Sequence, residues 1–133
     1  MAFTAGAALS AAGWAADHDD PPAWTQVHHS LGFAGADAGN VDLHWFSLWQ
    51  PASDAELWRA AVPLELAGVA SRAPGPADQL LLACVHGTPW SPLPPFRWIA
   101  DAVTVIRAAG EQLDWDRLVA EADVDHRQVG QPR

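Results

Sequence analysis

Seven arginines, no lysine and sixteen acidic residues give this 133-residue chain a formal charge of −9 and a pI near 4.8. That balance argues against a nucleic-acid binder, which carries a basic stripe. Half the residues are hydrophobic and 17% are charged, the composition of one folded domain or part of one rather than of a disordered chain. A lone Cys84 excludes an intrachain disulfide framework and a cysteine-held zinc.

The chain opens on an Ala-rich stretch, Phe3 to Trp14, whose composition predicts a helix ending near Gly13. No basic residue precedes Arg59, so this small apolar start lacks the positive region of a secretory signal. No stretch approaches the ~18–20 apolar residues of a membrane span. We expect a reducing, cytoplasmic setting. Asp17-His18-Asp19-Asp20 followed by Pro21-Pro22 reads as a solvated acidic loop.

Val27, His29, Leu31 and Phe33 alternate with Gln26, His28, Ser30 and Gly32, the period of a strand. After a polar turn over Gly35 to Asn40, residues Val41 to Leu48 form a second strand, antiparallel to the first. Two strands make a marginal sheet, so the chain reads as short of sheet. Ser53-Asp54-Ala55-Glu56 is a capping box that starts a helix running through Ala61. Val62 to Pro74 is ambiguous, with an extended segment as one reading. Pro76 to Gly87 reads as a buried helix, and residues 88–95, with four prolines, as a loop. Phe96 to Ala109 is an amphipathic helix with Trp98, Ile99, Ala102, Val103 and Ile106 on its apolar face and Gly110 as its stop. Asp114 caps a short last helix to Ala122, and the polar tail from Asp125 is expected to fray.

Among residues able to carry chemistry, Asp42 and His44 stand out, because alternation puts both on one strand face with Val41, Leu43 and Trp45 on the other. Two readings stay open: a solvated face of an edge strand, or a carboxylate whose desolvation is offset by a bound cation. His28 and His29 face opposite ways and cannot jointly hold one ion. A zinc site joining one of them to His44 and His86 lacks the close ligand spacing zinc requires. His86 at a helix end interacts with the helix dipole. Cys84 reads as a small core hydrophobe, Asp101 as a surface partner of Arg97, and Trp45, Trp98 and Trp115 as packing residues.

Val41-Asp42-Leu43-His44-Trp45, then Pro76-Ala77-Asp78-Gln79-Leu80-Leu81-Leu82-Ala83-Cys84-Val85-His86-Gly87, then Arg97-Trp98-Ile99-Ala100-Asp101 and Leu113-Asp114-Trp115-Asp116-Arg117-Leu118 resemble, in that order, the uncharacterised nucleotidyltransferase family of the polymerase-β-like superfamily. The resemblance runs from about Ala8 to Ala122. It implies a bacterial enzyme that moves a nucleotidyl group from a nucleoside triphosphate to an unknown acceptor. It also implies Mg²⁺ held by three carboxylates on a sheet, since clustered carboxylates bind the ion that neutralises the triphosphate. By the resemblance Asp42 matches the third carboxylate, a catalytic metal ligand. His44 is an auxiliary contact to phosphate or acceptor. The Asp-x-Asp strand that supplies the other two carboxylates has no match upstream of Asp42. We therefore expect the C-terminal portion of a family member, inactive alone.

The expected architecture is α+β: an early antiparallel strand pair within a partial nucleotidyltransferase-like core over 1–50, then a helical subdomain over 51–133. The competing reading is a non-enzymatic binding or assembly module that pairs through its strand edge and helical face.

Overall fold

The computed structural model describes residues 2–18, 28–35, 39–47, 54–87 and 96–129, with the backbone alone for 2, 3 and 124–129. Contacts divide the chain into two units, Met1–Trp49 and Gln50–Arg133. The α+β expectation holds, with antiparallel strands in the first unit and mainly helices in the second.

In the first unit α1 (Ala2–Ala11) forms where Ala dominates. It ends in a Schellman motif: Trp14 N–H donates to Leu9 C=O and Gly13 N–H to Ser10 C=O, both at 3.0 Å, with Gly13 at φ +86°. The chain turns directly into β1 (Ala15–Ala16), which pairs antiparallel with β2 (Ser30–Ala34), itself paired with β3 (Asn40–His44). A third strand thus adds to the sequence reading, which left Ala15 and Ala16 unassigned between the first helix and the acidic loop. Two residues are too few to show a period, and Pro21-Pro22 downstream dominated the local pattern. Residues 19–27, including Asp19, Asp20, Gln26 and Val27, lie outside the described residues, as does Leu48. Leu31 and Phe33 are buried. α1 covers their face: the Gly6 side-chain position lies 3.5 Å from the Phe33 ring and 4.0 Å from Leu43.

The second unit begins with α2 (Asp54–Ala60); the expected Ser53 cap lies outside the described residues. The ambiguous stretch resolves into a hairpin of β4 (Val62–Leu66) and β5 (Val69–Ala73). Its two-residue loop puts Ala67 at φ +51° and Gly68 at φ +78°, the double positive φ that a type I′ turn requires. Alanine in place of the usual Asn or Gly hid this turn from the sequence. Left-handed backbone costs an alanine about 1–2 kcal/mol, so Ala67→Asn should raise stability by roughly 0.5–1 kcal/mol, read as a higher urea midpoint with an unchanged m-value.

Helices α3 (Pro76–Gly87), α4 (Arg97–Ala109) and α5 (Trp115–Val129) follow. Ala77, Leu80, Ala102 and Leu113 form the core, with Cys84, Val105, Ala109 and Leu118 packed against it. The face of α4 differs from the expected one. Ala102, Val105 and Ala109 turn inward, while Ile99, Val103 and Ile106 sit on the exposed flank. Gly110, at φ +53°, ends α4, and a 3₁₀ turn over Gly110–Gln112 delivers Leu113 to the core. Asp114 Oδ1 caps α5 by accepting the Arg117 N–H at 2.9 Å. The helix then continues to Val129 rather than fraying from Asp125. Trp115, expected to pack, is exposed.

Candidate functional site

Cross-strand register assigns the two faces of the sheet. Leu31 pairs with Leu43 and Phe33 with Val41 on the face that α1 covers; Ser30 pairs with His44 and Gly32 with Asp42 on the opposite face. Polar residues therefore collect on the face away from buried Leu31 and Phe33, as alternation requires. His44 Nε2 lies 3.2 Å from Asp42 Oδ2. The His29 ring meets the His44 ring edge-on, with centroids 5.2 Å apart, and the His29 carbonyl accepts the Trp45 N–H at 3.0 Å.

Asp42 and His44 thus share a face and touch each other. The Asp42 side chain is 63% exposed, so its charge needs no cation to offset a desolvation cost. β3 is an edge strand among the described residues.

One member of this face escaped sequence reasoning. Asp17 N–H donates to the Gly32 carbonyl at 3.1 Å, extending the β1–β2 ladder by one residue, so that Asp17, Gly32 and Asp42 form one row across three strands. The Asp17 carboxylate lies where a side chain at Gly32 would stand, and glycine at that position is what admits it. No local period marks it, because its place in the row is set by the pairing of a two-residue strand with β2.

Other candidates fall elsewhere. His29 meets His44, but His86 ends α3 in the other unit. Cys84 packs against the helical core. Asp101 Oδ2 lies 3.8 Å from Arg97 Nε on the surface of α4, the expected i,i+4 pair. Among the described residues no three His, Cys, Asp or Glu side chains gather to hold a metal ion. Asp42 has the right donor for Mg²⁺, but the donor set among the described residues is incomplete for the ion.

The helical unit holds its own buried charge. Asp78 is 3% exposed. Arg117 donates to its Oδ1 from Nε at 3.0 Å and from Nη2 at 2.9 Å. The hydrogen bond to Asp78 is the main cause that raises the Arg117 pKa above its ordinary value; burial opposes it, and the nearby charges of Asp78, Glu121 and Asp114 add to it. Since the folded value is the higher one, the guanidinium's contribution is complete below its ordinary pKa and fades only as pH rises through the raised one.

No helix among the described residues is long and apolar enough to cross a membrane. No curated protein and no solved structure gives a significant match. A family model described as an uncharacterised nucleotidyltransferase matches residues 2–126, so the likeness takes in all of α1 and nearly the entire chain rather than beginning near Ala8. The chain belongs to the uncharacterised nucleotidyltransferase family.

Proposed function

We propose that this chain takes part in transferring a nucleotidyl group from a nucleoside triphosphate to an acceptor, with the open face of the β1–β3 sheet as its working surface. Family membership supports the reaction class. The observation that carries the site is the Asp42–His44 pair, in contact and exposed on the face opposite α1.

In this reading Asp42 is one hard oxygen ligand for Mg²⁺, an ion that would neutralise triphosphate charge when bound. Oδ2 is engaged by His44, leaving Oδ1 for that role. His44 holds the carboxylate in place and presents its ring to phosphate or acceptor. One placed carboxylate is too few for a tight catalytic ion, and turnover by this chain alone is not expected. The setting is cytoplasmic, with a nucleoside triphosphate and an acceptor as partners.

The test is ligand-linked stability. Mg²⁺ with a nucleoside triphosphate should raise the Tm of the protein, by about 1.4 kcal/mol of added stability at ten times Kd. Asp42→Asn should abolish that shift while leaving the unliganded Tm nearly unchanged, because Asp42 is exposed. A shift that persists in Asp42→Asn would remove Asp42 from the site.

The assembly-module reading keeps one specific observation: every residue of β4 is exposed, including Val62, Leu64 and Leu66. Absence of any nucleotide effect together with concentration-dependent association would favour it.

A further inference from the structure

A cavity of about 160 Å³ opens in the helical unit, where the hairpin meets the starts of α3 and α5, and it has no part in the nucleotide reading. Asp78 lines it. Both Arg117 donors go to Asp78 Oδ1, while Oδ2 is buried with no hydrogen-bond partner among the described residues. A buried acceptor left without a donor is costly, and more so when charged. Beside it stands Gly75, also buried and also lining the cavity. A side-chain methyl built on Gly75 would lie 3.8 Å from Asp78 Oδ2 and 3.6 Å from the Ala60 carbonyl oxygen. The missing side chain thus leaves a gap bounded by two acceptors, one on a carboxylate and one the last carbonyl of α2, which has no donor from its own helix.

The charges complete the specification. Asp78 and Asp114 against Arg117 leave this lining one negative charge in excess, and Ala60, Val62 and Ala77 supply apolar wall. Two oxygen acceptors, a net negative lining and short apolar sides describe a pocket for an alkyl group ending in a cationic hydrogen-bond donor. We propose that this cavity binds a small primary alkylammonium, its N–H groups on Asp78 Oδ2 and the Ala60 carbonyl and its stem against Ala60, Val62 and Ala77. The chain contains no lysine, so a second copy has no alkylammonium side chain to supply. A metal ion is a poorer fit, since no three ligating side chains gather among the described residues. Apolar cavities of about 150 Å³ accept a benzene-sized body, so n-butylammonium is a suitable probe.

Gly75→Ala is the blocking variant. Gly75 is not at positive φ, and the added methyl meets only ordinary contact distances, so the protein should fold while the gap is filled. With the full chain, n-butylammonium chloride should raise the Tm saturably, by about 5 °C at ten times Kd. Equal concentrations of 1-butanol or NaCl should not. Gly75→Ala should lose the shift, and so should Val62→Trp, a change at an exposed strand position on the cavity lining. No saturable shift, an equal shift with 1-butanol, or an undiminished shift in both variants would overturn the proposal.

Discussion

Arg117→Leu should cost about 3 kcal/mol of stability, because it strands a buried carboxylate. The Asp78 side chain is 4% exposed, and Arg117 provides its hydrogen bonds from two nitrogens. The same guanidinium reaches the Glu56 carbonyl at 3.5 Å and Glu121 at 3.7 Å, so one side chain ties α2, α3 and α5. Leucine keeps the apolar stem and removes only the polar head, which isolates the electrostatic part of the loss. Replacing both partners, Asp78→Leu with Arg117→Leu, should recover at least half of it, since no orphaned charge remains. Urea unfolding of Arg117→Leu, Asp78→Leu and the double variant is the measurement; equal losses in Arg117→Leu and the double variant would show that packing dominates instead. Because the Arg117 pKa is raised, the wild-type pair should hold without alkaline weakening between about pH 7 and 10.

Gly87→Ala should destabilise by about 1–3 kcal/mol, although helix propensity alone favours alanine by about 1 kcal/mol. The deciding fact is what the new methyl strikes: the Cβ and Cγ of Trp98 on α4. A Cβ is fixed to its backbone, so the two helices must part. Gly32 makes a useful contrast, because a side chain there meets only the carboxylate end of Asp17, which can swing aside. Trp98→Ala should therefore fail to rescue Gly87→Ala, as the offending Cβ remains, whereas Trp98→Gly should restore helix contact at the expense of the indole. A urea midpoint for Gly87→Ala at or above wild type would show that α3 and α4 are not held at this distance.

How much was legible beforehand depended on whether the signal was local. The end of α1 near Gly13, the Asp114 cap, the Pro76 start and Gly87 end of α3 and the alternation that puts Asp42 and His44 together are all written in neighbouring residues, and each appears as read. The type I′ turn was hidden because Ala67 occupies a position that normally announces itself with Asn or Gly. The choice between the two flanks of α4 was hidden because Ile99, Val103 and Ile106 are more hydrophobic than the Ala102 and Ala109 that pack inward. Small residues win there because close helix approach, set by Gly87 against Trp98, leaves no room for larger ones. Of the candidate site, the Asp42–His44 pair was readable. Asp17 was not, because its place in the row depends on a strand pairing across many intervening residues. The Asp78–Arg117 pair likewise spans 39 positions, beyond any local pattern.

The exposed hairpin also sets how the molecule should behave at high concentration. Val62, Leu64, Leu66 and Val69 form an uncovered oily strip on a body carrying −9. Mutual repulsion between copies is then the natural guard against their sticking together, and dissolved electrolyte weakens it within a Debye length of about 8 Å at 0.15 M. Colloidal stability should be greatest in dilute buffer at neutral pH and decline as pH falls toward the isoelectric point.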